Sequence, residues 1–137
     1  MKSMVVNLGV KNINETVAYY QDTLGFVLLT AVDKNKEGFD TLNEDKDYLW
    51  AMMSNQAVSI MFQRVESLQE DIGDFFNTLG ASLTLYIDVE NVDEWYNTIK
   101  DKVTIYKDIY TTWYGQKEFY IQDINGYILG FASQAEA

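Results

Sequence analysis

The chain of 137 residues contains no histidine, no cysteine and no proline, and its single arginine is Arg64. Without cysteine there is no disulfide, no thiolate metal site and no cysteine nucleophile, a composition compatible with a reducing compartment. Without histidine the commonest metal ligand and the commonest general acid or base are both missing, which removes any Ser-His-Asp triad and any His-assisted zinc site. Chemistry would fall to carboxylates, lysine, tyrosine and backbone groups. Positive charge is also scarce: 10 Lys and Arg against 21 Asp and Glu give a net charge of −11. That balance argues against nucleic acid as a partner, because phosphate neutralisation needs clustered cations. An acidic field can steer a cationic ligand, but more simply it keeps a protein soluble. No run of 18 apolar residues is present, so no membrane partner is expected. Met1-Lys2-Ser3 leads into strand-like sequence instead of a signal-peptide core, and the expected location is the cytoplasm. The residues that are abundant, Asn, Ile, Tyr and Lys, fit an AT-rich genome.

What is present suffices for one compact core, with 47% hydrophobic residues. Met4 to Val10 reads as a strand, and Asn14 as the N-cap of a helix with Val17, Tyr20 and Leu24 at helical spacing, closed by Gly25. Phe26 to Val32 is a dense β-branched and aromatic strand. Asp33, Asn35, Gly38 and Glu44 fall at the first, third, sixth and twelfth positions of a calcium loop. However, Asp40 sits where an apolar residue is needed and a strand precedes it, so a solvated loop joining two strands is expected. Tyr48 to Ser54 and Ala57 to Gln63 form a hairpin through Asn55-Gln56. Val65, Leu68, Ile72, Phe75, Phe76 and Leu79 then trace a helical stripe, interrupted by Gly73, which packs on its own sheet or covers a partner.

The second half repeats the first. A shift of 79 positions lays Val10, Asn12, Ile13, Asn14 and Glu15 over Val89, Asn91, Val92, Asp93 and Glu94. Leu83 to Val89 is thus a strand and Asp93 caps a helix with Val92, Tyr96 and Ile99 on one face. Lys100 and Lys102 follow near its C-terminus, where the dipole favours cations. Val103 to Tyr110, Lys117 to Gln122 and Tyr127 to Ala132 are the last three strands. The predicted class is α+β, with two tandem βαβββ modules whose sheets pair around a central cavity. The boundaries are 1–63 for the first module, 64–80 for a linker and 81–137 for the second, all in one compact domain.

The end of the chain is its most specific part. Phe119 and Ile121, then Tyr127, Leu129 and Phe131, alternate about Asp123-Ile124-Asn125-Gly126, and Asn125-Gly126 is read as a turn in which both residues tolerate positive φ. The run from Trp113 to Phe131, an aromatic-Gly pair followed by a basic residue, Glu, Phe, a strand, Asp-x-Asn-Gly and an apolar strand, resembles the last hairpin of the glyoxalase I/bleomycin-resistance/extradiol-dioxygenase (vicinal oxygen chelate) superfamily. YYQDTLGF, Tyr19 to Phe26, is similar to that family's helix-to-strand corner. Ile124 stands where the family usually has proline.

The resemblance implies metal ligands on the first and last strand of each half, at positions matching Val5, Ile60, Thr84 and Gly130. None is a ligand residue, and neither Met4 to Val10, Ala57 to Gln63 nor Tyr127 to Ser133 contains a carboxylate or histidine. A mononuclear site needs three or four such donors converging. The family's metal chemistry is therefore not expected, and no cofactor is. Apolar or small residues at those positions suit a cavity that holds a small organic molecule. Its candidate ligand-binding residues are Trp50, Met52, Ile60, Phe62, Thr84, Tyr86, Trp113, Phe119 and Gly130, although each large aromatic is individually better explained as ordinary core. Glu118 and Asp123 could add a carboxylate for a cationic ligand or simply hold structure. The resemblance implies a metal-independent, homodimeric protein like the bleomycin-resistance proteins, which confer antibiotic resistance by sequestering a drug, here an aromatic one for which a cationic group is an option. The alternatives are a lyase, isomerase or dioxygenase with a non-standard site, in which Glu118, Asp123 or a tyrosine acts as acid or base with a raised carboxyl pKa, or a partner-binding module using the Val65 to Leu79 stripe.

Overall fold

The computed structural model describes residues 3–73 and 83–136. It divides into two compact units, each a sheet with a helix packed on one face. In the first, β1 (Val6–Val10), α1 (Ile13–Asp22), β2 (Val27–Asp33), β3 (Gly38–Phe39), β4 (Tyr48–Asn55) and β5 (Val58–Arg64) are followed by α2 (Val65–Ile72). In the second, β6 (Thr84–Asp88), α3 (Val92–Ile99), β7 (Thr104–Thr111), β8 (Gln116–Gln122) and β9 (Ile128–Gln134) repeat the order. The sheets run β1-β5-β4-β2-β3 and β6-β9-β8-β7. In each, the first strand pairs parallel with the last, and the other pairings are antiparallel.

The period-two pattern sorts side chains between a helix-packed face and an open face. In the first unit Leu8, Val10, Ala31, Ala51, Met53, Ile60 and Phe62 are buried, and Tyr20 of α1 lies with its ring centroid 4.7 Å from that of Phe62. In the second, Phe119 packs between Tyr96 of α3, at 5.1 Å, and Phe131, at 5.4 Å. Aromatic pairs of this kind add about 0.5–1.5 kcal/mol beyond the area they bury.

Both helices start two residues earlier than predicted. Asn12, not Asn14, caps α1, its side chain accepting the Glu15 N–H at 2.9 Å. Asn91, not Asp93, caps α3 by accepting the Glu94 N–H at 3.1 Å. The cap must sit in extended backbone just before the first helical residue, and Asn14 is already inside the helix, where its amide donates to the Lys46 carbonyl at 2.9 Å. Asp93 faces Lys117 in an ion pair of 2.7 Å. Asn12 and Asn91 are equivalent under the 79-residue shift, so the two caps are themselves part of the repeat.

The segment after β2 is more ordered than a solvated loop. Its β3 pairs with β2, and the Asp33 carboxylate is buried. It accepts the Asn35 and Glu37 N–H groups at 2.9 and 3.0 Å and pairs with Lys46 at 3.1 Å. Burial pushes the Asp33 carboxyl up, but the backbone bonds and Lys46 outweigh it and hold the group below its ordinary value. Of the apolar stripe, Val65, Leu68 and Ile72 lie on α2, which ends at Gly73; Phe75, Phe76 and Leu79 lie outside the described residues. In the closing hairpin only Gly126 has positive φ, at +91°. Asn125 does not, because the turn is built by Asp123 instead, whose Oδ1 accepts the Asn125 and Tyr127 N–H groups at 2.9 and 2.7 Å.

Candidate functional site

Strand β8 carries Phe119 and Ile121 into the helix-packed core, which leaves Glu118 and Tyr120 on the open face. Glu118 is nonetheless 1% exposed, because four tyrosine hydroxyls close over its carboxylate. Tyr86 of β6 donates to Oε2 at 2.5 Å, and Tyr110 of β7 donates to Oε1 at 2.7 Å. Tyr120 reaches Oε1 at 3.3 Å. Tyr114, in the turn between β7 and β8, lies 2.9 Å from Oε1 and 3.0 Å from Oε2. A carboxylate offers about four lone-pair sites, so the anion is saturated by neutral donors. Tyr86 and Tyr114 remain about half exposed, at 51% and 49%.

Irregularity in β7 helps build this cluster. The register shifts once between Ile105 and Lys107 and again between Lys107 and Tyr110. Each slip is of one residue, so the two together restore the face and advance the pairing by two positions, which brings Tyr110 and not Asp108 opposite Glu118. The Lys107 ammonium lies 4.3 Å from the centre of the Tyr110 ring. Tyr120 needs a different accommodation. A Cβ built on Gly130, its cross-strand neighbour, would stand 2.5 Å from Cε2 of Tyr120, so the ring occupies the space that a side chain at 130 would fill.

The electrostatics follow. Burial pushes the Glu118 carboxyl up, but hydrogen bonds from Tyr86, Tyr110, Tyr114 and Tyr120 overcome it and hold the group below its usual value. The phenols move the other way. Tyr110 is pushed up to about 12 by its bond to Glu118 and by burial, Tyr120 to about 12 by burial and the Glu118 charge, and Tyr86 is raised further by burial and by Glu118. The hydroxyls of Tyr86, Tyr110 and Tyr120 donate to Glu118, so their oxygens have lone pairs left to offer. The cluster presents acceptors around a net negative charge.

The residues singled out from sequence are divided by this geometry. Thr84, Tyr86 and Gly130 share the open face of the second sheet, and Trp50 and Met52, half-buried, lie on that of the first. Ile60, Phe62 and Phe119 do not line a site: they sit on the helix-packed faces as buried core. Trp113 is not core but 95% exposed, beside Tyr114. Gly130 does not leave empty space, since Tyr120 fills it. Asp123 is a turn residue, and at Glu118 the pKa is lowered, the reverse of what an acid or base role requires. Tyr110, Tyr114 and Tyr120 join the cluster without standing among the residues that the sequence points to. The alternation of Glu118 and Tyr120 with Phe119 and Ile121 was the available signal for one of them.

The register also corrects the matching of the two halves. Val6 and Leu85, equivalent under the 79-residue shift, pair with Ile60 and Leu129. The counterpart of Gly130 is therefore Met61, not Ile60. By the same pairing Asn7 corresponds to Tyr86, Trp50 to Glu118, Met52 to Tyr120 and Val32 to Tyr110. With Val5, Met61, Thr84 and Gly130 at these places there are no donors to converge on a mononuclear metal, and among the described residues no group of three His, Cys, Asp or Glu side chains could hold one. The residues present do not fit the family's metal.

Residues 4–131 match the family model of the Glyoxalase/Bleomycin resistance protein/Dioxygenase superfamily. No curated protein matches the chain by sequence. Among solved structures, TioX from Micromonospora sp. ML1 is 18% identical with a TM-score of 0.67, the match covering 99% of this chain and 98% of that one. A glyoxalase-related enzyme from Fulvimarina pelagi is 16% identical, TM-score 0.69, over 96% and 88% of the two chains. A glyoxalase/bleomycin resistance protein/dioxygenase family enzyme from Burkholderia phytofirmans PsJN is 19% identical, TM-score 0.68, over 93% and 94%. At these identities the likeness is one of fold.

Proposed function

Because the chain belongs to the glyoxalase/bleomycin resistance protein/dioxygenase superfamily while lacking its metal donors, we propose that it binds a small organic cation with an aromatic part and sequesters it unaltered. The observation that carries this reading is the Glu118 carboxylate held by four phenols. A ligand approaching the open face meets acceptor oxygens, tyrosine rings and a buried negative charge, a combination that rewards N–H donors and positive charge over neutral or anionic groups. The net charge of −11 adds long-range attraction of the same sign.

Proton transfer is poorly served by the same arrangement. An acid or base working near neutrality needs a pKa close to 7, whereas Glu118 is held below the ordinary carboxylate value and the phenols are driven above theirs. A saturated anion also has no free lone pair with which to take a proton. These features support holding a ligand over transforming it.

The test is a thermal-shift screen that sets aromatic cations against neutral compounds of the same shape. A ligand at 100 times its dissociation constant raises stability by about 2.7 kcal/mol. Stabilisation confined to the cations, and abolished by Glu118→Gln, is the expected result. Equal stabilisation by the neutral compounds would overturn the reading.

A further inference from the structure

We propose that Glu118 docks a planar, fork-shaped cation, a guanidinium or amidinium, which takes the place of the Tyr114 hydroxyl across both carboxylate oxygens; this rests on the reading above that the tyrosine face takes a cation. Three of the four tyrosines engage one oxygen each: Tyr86 holds Oε2, and Tyr110 and Tyr120 hold Oε1. Tyr114 alone straddles the pair, at 2.9 and 3.0 Å. One O–H proton cannot point along both lines, so this bond is shared and weaker than a linear one. Two parallel N–H groups, in contrast, match the two oxygens of a carboxylate directly.

Tyr114 is also the tyrosine placed to leave. It sits in the turn between β7 and β8, flanked by Trp113, 95% exposed, and by Gly115, with φ +85° and open space around it. Its ring meets the Trp113 ring edge-on at 5.3 Å. The other three hydroxyls are borne by strand residues, Tyr86, Tyr110 and Tyr120, and Tyr120 is further fixed over Gly130. Withdrawal of Tyr114 would free one acceptor position on Oε2; on Oε1, where Tyr110 and Tyr120 already take both lone pairs, the second N–H would share the position that Tyr120 holds at 3.3 Å, the longest of these bonds. The remaining N–H groups of a guanidinium would then find phenolic oxygens whose own protons are committed to Glu118. An ammonium, a point donor, gains less from paired positions. Exchange of a neutral hydroxyl for a cation further supplies the buried anion with an opposite charge.

The experiment is calorimetric titration of the full chain with benzamidine, benzylamine and neutral benzamide, on the wild type and on Tyr114→Phe, which keeps the ring and removes the competing hydroxyl. A bidentate, charge-assisted pair against a single bond predicts that benzamidine binds roughly tenfold or more tightly than benzylamine. Tyr114→Phe should tighten benzamidine further, and Trp113 fluorescence should change on binding in the wild type. Equal affinities for the two cations, or a Tyr114→Phe variant that binds benzamidine no better, would overturn the fork proposal while leaving the cation reading intact. Failure of both cations to outcompete benzamide would overturn both. Glu118→Gln should erase the preference, and if that variant does not fold, Tyr114→Phe decides alone.

Discussion

The ring of Tyr120 lies so close to Gly130 that a Cβ there would stand 2.5 Å from Cε2 and 2.9 Å from Cδ2. Both atoms belong to a rigid ring packed in a sheet, so the neighbour cannot yield by rotating a flexible tip. Gly130→Ala should therefore cost about 1–3 kcal/mol, the range for overpacking, and should pull the Tyr120 hydroxyl from Glu118. Urea unfolding checks it: an unchanged midpoint would mean that the ring has another place to go.

In alkali the tyrosine cluster should titrate late. Tyr110 and Tyr120 stand at about 12 in the fold, against about 10 when unfolded. Because the folded values are the higher ones, the stability these groups lend is complete below about pH 10 and disappears as pH climbs from there towards about 12. Phenolate absorbance followed with pH should show a delayed fraction, and Glu118→Gln should bring that fraction back towards the ordinary range.

In acid the sign is reversed. Asp33 and Glu118 are both held below their ordinary values. Their contribution is present at and above the unfolded carboxylate pKa, about 4, and is lost as pH falls through the lower folded values. Asp33→Asn and Glu118→Gln should each lower stability at neutral pH and flatten its loss in acid. Parallel curves for wild type and variants would contradict this.

The helix caps give a cleaner comparison. Asn12→Ala and Asn91→Ala should each cost about 1 kcal/mol, because each strips an acceptor from an orphan N–H. Asp93→Ala removes only a half-exposed pair with Lys117 and should cost no more than about 1 kcal/mol, and less in high salt. Chemical denaturation of the three variants in low and high salt separates the two behaviours.

The repeat and its strands were legible because alternation and helical spacing are properties of the local sequence. The Asn12 and Asn91 pair could have been read as caps, since both fall in the aligned segments; the neighbouring Asn14 and Asp93 are equally good capping types, and only backbone conformation separates them. The site was less legible. Phe62 and Phe119 are aromatic wherever they point, and the face they occupy depends on a register that composition does not carry. Tyr110 reaches Glu118 only through two slips in β7, and Tyr114 through a turn. Gly130, taken from sequence as an absent ligand, has its meaning in the Tyr120 ring across the strand pair, a contact with no one-dimensional trace.

The correspondence between the sheets bears on what dictates these side chains. One lattice position holds Trp50 in the first unit and Glu118 in the second, another Met52 and Tyr120, and a third Met61 and Gly130. The same strand order stands in both units with an indole or a carboxylate, a thioether or a phenol at the same point. The strand order therefore does not by itself dictate the residues on the face away from the helix, and the duplication supplies an internal control: what the two copies share belongs to the architecture, and what they do not share is particular to each unit.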